Sequence, residues 1–186
     1  VNFLYTKKYK KILWAFALLV TAFLVLFFAL EQTLLVKYQA LESVLIKDRH
    51  GGIISVLPNA KGEYSNYLSE LPKRFKQLLL KKEDGFFYFH PGVNPVSIGR
   101  ASVKYLSGEG PGGSSTVTQQ LVKNLLGNES DRTLGNKILE LFYTFSLEIF
   151  MSKERILTMY ANTVYLGNNI QGFGQASLDY FAKPLD

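Results

Sequence analysis

The chain has 186 residues, room for one modest domain plus an anchor but not for two full domains. It has no cysteine and only two histidines, which excludes a disulfide framework and a thiolate metal site and argues against a zinc centre. Its net charge of +6 is concentrated at the start: Lys7, Lys8, Lys10 and Lys11 leave 17 basic against 15 acidic residues in the remainder, so the pI of about 9.4 is a topology signal and not a nucleic-acid footprint.

Residues 1–11 read as a cytoplasmic tail and residues 12–30 as a transmembrane signal anchor. Ile12 to Leu30 is uncharged and rich in Leu, Phe, Val and Ala. At about 1.5 Å rise per residue it nearly crosses a hydrocarbon core of about 30 Å. A cleaved signal peptide would need a shorter apolar run and a small-x-small site, and Ala29-Leu30-Glu31 is a poor one. The lysines ahead of the span and Glu31 after it put the N-terminus inside and the rest outside by the positive-inside rule.

Residues 31–69 form a juxtamembrane connector. Within it Val44-Leu45-Ile46 and Ile53 to Leu57 flank Asp48-Arg49-His50-Gly51-Gly52, which predicts a β-hairpin with a five-residue loop. Residues 70–186 read as helical. Pro72 suits a first turn, with Phe75, Leu78 and Leu79 as the apolar face of a helix ending in Lys81-Lys82. Residues 93–106 form a further candidate helix, followed by a glycine-rich loop from Gly108 to Gly113.

Thr116 and Gln119 make a capping box for a helix through Leu126, with Val117, Leu121 and Leu125 on one face. Lys137 to Met151 is apolar nearly all round, with Lys137, Glu140, Thr144 and Glu148 forming one polar stripe. That pattern predicts a buried helix with a wet seam. Ser152 caps the next helix, whose Ile156, Leu157, Tyr160 and Val164 face inward. Gly167, Gly172 and Gly174 break the chain before Ala176 to Phe181.

Three polar clusters carry chemistry. Glu83-Asp84 precedes an aromatic loop, and a carboxylate beside Phe86 and Phe87 is partly desolvated, as suits a general base. A lone pair of this kind would more often be two solvated acids capping the next segment. Gly113 to Gln120 places small residues and hydroxyls at a helix N-terminus, where free N–H groups and the helix dipole suit a phosphate. Without company these residues would describe only a well-capped helix. Arg132 to Glu140 supplies cations that can neutralise a pyrophosphate. Arg132 also fits an ordinary helix start, but Lys137 and Glu140 lie on an apolar helix.

In order, these stretches resemble the five motifs of the peptidoglycan glycosyltransferases. Glu83-Asp84-x-x-Phe87-x-x-His90-x-Gly92 is similar to the first, Gly113 to Asn124 to the second and Arg132 to Glu140 to the third. Ser152 to Asn162, continued by Tyr165, Gly167 and Asn168, resembles the fourth, and Gly172 with Tyr180-Phe181 the fifth. Ser114, Asn136 in place of a basic residue and Ala161 in place of Leu depart from the family pattern. The match runs over residues 83–183. The Asp48-Arg49-His50-Gly51 turn also resembles one ahead of this domain in class A penicillin-binding proteins, though a monofunctional transglycosylase fits as well.

The resemblance implies a mainly α, lysozyme-like domain, C-terminally incomplete here, with a small membrane-facing part. It implies transfer of a lipid-linked glycan from undecaprenyl diphosphate onto the GlcNAc 4-hydroxyl of lipid II, with inversion to a β-1,4 linkage. Glu83 and Glu140 are the catalytic candidates. Glu83 would be the base, while Glu140 would position substrate or meet a metal-bound diphosphate. Asp84, Ser115, Thr116, Gln119, Gln120, Lys123, Arg132, Lys137 and Asn162 are substrate-binding candidates, and His90 orients its loop. No cofactor is required; a divalent cation, Mg or Mn, has a place beside Glu140. The implied partners are lipid II, lipid-linked glycan, the bacterial cell membrane and cell-wall synthesis proteins, with no nucleic acid. A lysozyme-like hydrolase and an inactive membrane-anchored subunit are the alternatives.

Overall fold

A computed structural model describes residues 2–97, 99, 103, 107–108, 115–127 and 133–185. The chain opens with α1, Asn2–Ala40, one helix of 39 residues. Its stretch from Tyr9 to Ala40 is long and apolar enough to cross a membrane. From Ile12 to Leu26 its side chains point outward, and from Phe27 onward one face becomes buried, with Leu34 fully enclosed. No break falls after residue 30. The expected connector begins as helix, because residues 31–40 continue the apolar face that packs on the domain.

β1 (Val44–Lys47) and β2 (Ile53–Leu57) pair antiparallel around the five-residue loop foreseen from the sequence. Asp48 closes that loop by accepting from the backbone N–H groups of His50 and Gly52 at 2.7 and 2.8 Å. β3 (Tyr64–Ser65) pairs in parallel with β4 (Ile170–Gln171), tying the connector to the far end of the chain.

The domain is mainly α. α2 spans Lys73–Glu83 with Pro72 as its N-cap, one residue before the first turn. Phe75 and Leu79 face the core as expected, but Leu78 is exposed and Leu80 packs inward instead. A 3₁₀ turn, Phe87–Phe89, follows. α3 (Val117–Leu126) is the central helix, touching α1 as well as the two helices after it: α4 (Leu134–Phe150) and α5 (Lys153–Thr163). Val117, Leu121 and Val122 are fully buried there.

Ser152 caps α5 by accepting from Arg155 N, as predicted. α6 runs from Phe173 to Phe181, so Gly174 lies inside a helix and does not break the chain. A Cβ at Gly174 would stand 2.3 Å from the Asn66 carbonyl, and the glycine is what lets α6 approach the connector. Of the candidate helix 93–106, the described residues 95–97, 99 and 103 are helical, with the Asn94 side chain accepting from Val96 N and Ser97 N. The glycine-rich loop lies almost entirely outside the described residues.

α4 inverts the sequence expectation. Past Lys137, which stays exposed, its polar stripe faces inward: Thr144 is fully buried and Glu140 is 7 % exposed. Ile138, Leu139, Phe142, Phe145 and Ile149 point outward. The expected wet seam is an internal one. It can be buried because each polar group finds a partner, as the site geometry shows. The outer face continues the apolar surface of α1, with Phe27 against Phe142 at 6.1 Å and Phe28 against Phe150 at 5.6 Å between ring centres. A helix apolar on its outside requires an apolar surrounding.

Candidate active site

Glu83 is the last residue of α2 and is half-buried. Gln120, on the first turn of α3, donates from Nε2 to its Oε2 at 3.4 Å, a long bond. Tyr160 on α5 in turn donates its hydroxyl to Gln120 Oε1 at 3.1 Å. Burial first, and the Glu83 charge second, push the Tyr160 hydroxyl above its ordinary range, so it stays a donor. The chain Tyr160–Gln120–Glu83 therefore links three helices and fixes which way the amide points: its NH2 end toward the carboxylate. The sequence pattern places Tyr160 on the inward face of its helix. The clue available was its polar tip on an otherwise apolar face, which requires a partner when buried.

Asp84 turns away from Glu83 and into the protein. His90 Nε2 lies 3.1 and 3.0 Å from its two oxygens, and Val117 N donates to Oδ2 at 3.2 Å. The carboxylate thus occupies the N-terminal end of α3, where an anion is favoured. Thr116 and Gln119 form the predicted capping box, and the Thr116 hydroxyl also donates to the Gly92 carbonyl at 2.6 Å. Asp84, Thr116 and Gln119, expected to bind substrate, are buried and committed to holding the loop on α3. His90 orients that loop, in keeping with the sequence expectation. A backbone N–H that would have met a phosphate already has an internal carboxylate.

Gly92 marks the tightest approach. Its φ is +83°, and a Cβ would stand 2.6 Å from Thr144 Cγ2 and 2.9 Å from Glu148 Cγ. Gly92→Ala should cost about 2–4 kcal/mol from left-handed strain and overpacking together. Thermal unfolding of the variant checks this; an unchanged midpoint would show that α4 gives way freely.

The predicted cations separate. Lys123 is half-buried, lies three residues after Gln120 and so shares its side of α3, and has no partner among the described residues. Lys137 pairs with Glu140 at 2.5 Å within α4. Arg132 lies outside the described residues, and Ser115 is half-buried just ahead of the α3 cap. Asn162 does not line a cleft with the others. Fully buried, it accepts from Leu68 N at 2.9 Å and donates to Leu68 O at 3.0 Å and the Tyr38 hydroxyl at 2.8 Å. It fastens the connector and α1 to α5.

The expected metal position does not fit a protein-held ion. The Glu140 carboxylate is engaged with Lys137, and among the described residues no three His, Cys, Asp or Glu side chains converge.

The described residues thus set a carboxylate where three helices meet, with a half-buried lysine one turn further along α3 and a membrane-length helix at the start of the chain. Comparison with known proteins supplies the family. Residues 50–186 match the family model described as Transglycosylase. Penicillin-binding protein 1B of Buchnera aphidicola subsp. Baizongia pistaciae is 43 % identical over 141 residues, covering 72 % of this chain and 19 % of the relative. Penicillin-binding protein 1B of Vibrio cholerae is 46 % identical over 62 % of this chain and 15 % of its own length, and penicillin-binding protein 1A of Escherichia coli 41 % over 64 % and 14 %. The chain thus spans less than a fifth of the length of these relatives. It belongs to the transglycosylase family.

Proposed function

We propose that this chain polymerises the glycan strands of peptidoglycan at the outer surface of the bacterial cell membrane. Glu83 removes the proton from the GlcNAc 4-hydroxyl of lipid II, and that oxygen attacks C1 of the donor sugar. The bond from C1 to undecaprenyl diphosphate breaks, the diphosphate leaves with the electron pair, and the α linkage becomes β-1,4. The observation that carries this reading is a carboxylate held on α3, Glu83 on Gln120, with Lys123 one turn further along the same helix, half-buried and without a side-chain partner among the described residues. A half-buried ammonium of this kind can meet an anionic group of a substrate, and the diphosphate of the lipid-linked donor supplies one.

The remaining parts follow. Lys123, Arg132 and Lys137 neutralise the leaving diphosphate. Glu140 holds Lys137 in place through their ion pair. No step is routed through a metal ion. The outward apolar face of α4, beside α1, supports a seat at the bilayer surface, where both lipid-linked substrates are confined. The lysine-rich start of the chain supports an inward N-terminus.

Labelled lipid II supplied in detergent or vesicles should be converted to long glycan polymer with release of undecaprenyl diphosphate. Release of muropeptides from finished sacculi without polymer would replace this reading with hydrolysis. Tyr160→Phe removes one neutral hydrogen bond behind Gln120 and should lower kcat about 3- to 10-fold, the effect of about 1 kcal/mol. An unaltered kcat would detach Tyr160 from the site.

A further inference from the structure

Packed against the loop that follows Glu83 is a charged cluster the proposed reaction does not use. Lys153, the first residue of α5, brings its ammonium 2.7 and 2.9 Å from the two Glu148 oxygens and 2.7 Å from the His90 carbonyl. The same nitrogen lies 4.5 Å from the centre of the Phe87 ring. Glu148, on the last turns of α4, also accepts the Thr118 hydroxyl at 2.6 Å. The Glu148 side chain is 7 % exposed and that of Lys153 22 %. A pair this buried is tolerable because every donor of the lysine is used.

The cluster grips one particular segment. Asp84 is fixed at the start of the loop by Val117 N, and Gly92 at its end by Thr116. Between them, Phe87 and His90 are the two residues that Lys153 touches, and His90 is the one that faces Asp84. Asp84 is directly bonded to Glu83 through the chain. An ammonium on α5 thus holds the backbone of His90, whose ring meets Asp84, the residue next to Glu83 in the chain.

We propose that the Lys153–Glu148 pair is a positioning device for glycosyl transfer, holding the Glu83 carboxylate at its working distance from the acceptor hydroxyl. The proposal rests on the assignment of Glu83 as base. It makes Lys153 and Glu148 positioning residues, since neither touches the reacting atoms.

The experiment compares Lys153→Met with the double variant Lys153→Met/Glu148→Gln in the full chain with labelled lipid II. The single variant strands a buried carboxylate and is expected to melt early. The double variant removes both charges, keeps an acceptor for Thr118 and an apolar stem over Phe87, and is expected to melt near the wild type. Its kcat should still fall by about 10²-fold, the scale of a misplacement of about 1 Å, with KM for lipid II within about twofold. Hydrogen exchange of the double variant should quicken over residues 85–92 and stay slow in α3 and α5.

A double variant with wild-type kcat overturns the proposal, because the pair would then serve stability alone. So does one that no longer melts cooperatively, which would make the pair a requirement of the fold. Glu83→Gln assayed alongside separates the two assignments. Loss of turnover there with full turnover in the double variant rejects the positioning role only, whereas retained turnover in Glu83→Gln rejects the base itself.

Discussion

Glu83→Gln is expected to lower glycan polymerisation by about 10²–10⁴-fold, the range that a well-placed general base supplies. The substitution changes little else. Glutamine has nearly the same volume, and its carbonyl oxygen can still accept from Gln120 Nε2, which lies 3.4 Å from the native carboxylate. Neither Asp84 nor His90 leans on Glu83, so the loop keeps its own bonds. Lipid II binding and the unfolding midpoint should therefore stay close to those of the wild type. What is lost is an oxygen basic enough to take the proton as the acceptor attacks. Turnover of labelled lipid II, with a thermal melt on the same sample, checks both halves. Unchanged turnover would remove Glu83 from the mechanism, and absence of turnover in the wild type would favour an inactive subunit of a cell-wall complex.

The second large effect concerns stability. Asn162→Leu should cost about 3–5 kcal/mol, and lower the unfolding midpoint by on the order of 10 °C for a domain of this size. Leucine fits the volume but returns none of the bonds. It leaves the Leu68 N–H, the Leu68 carbonyl and the Tyr38 hydroxyl without the partner they have in the native chain. Because Tyr38 belongs to α1, the loss should also loosen the junction between anchor and domain, seen as faster proteolysis within residues 41–69. A midpoint shift below about 2 °C would show that water replaces these bonds at little cost.

Much was legible in local pattern. The hairpin, the Thr116–Gln119 capping box and the Ser152 cap depend on a few neighbouring residues, and each formed where the sequence put it. Motif order was enough to place the chain in its family. Local pattern leaves open whether a polar residue serves water or the interior. Asp84, Thr116, Gln119 and Asn162 are substrate-binding candidates by their motifs, and in the structure all four are buried. A motif residue that builds the site looks, in sequence, like one that touches the ligand.

α4 shows the same limit from the other side. Its period locates a polar stripe at Lys137, Glu140, Thr144 and Glu148, and hydropathy alone assigns that stripe to solvent, where only Lys137 is exposed. Thr118, Lys137 and Lys153 reverse the assignment, since they supply the hydrogen bonds and charges that water would otherwise provide. The apolar face of α4 is then free to look outward beside α1.

By itself the sequence determined the membrane-length anchor, the mainly helical fold, the family and the identity of the acid that is proposed to act. These follow from composition, period and residue order along the chain, all of which are local. Only the tertiary structure decided which polar residues are inside. Burial of a charged or hydrogen-bonding group depends on whether a partner arrives from a distant segment, as Val117 does for Asp84 and Lys153 for Glu148. Val117 and Asp84 are 33 residues apart in the chain, while Lys153 and Glu148 are 5 apart but on two different helices, and nothing in either spacing announces that they meet.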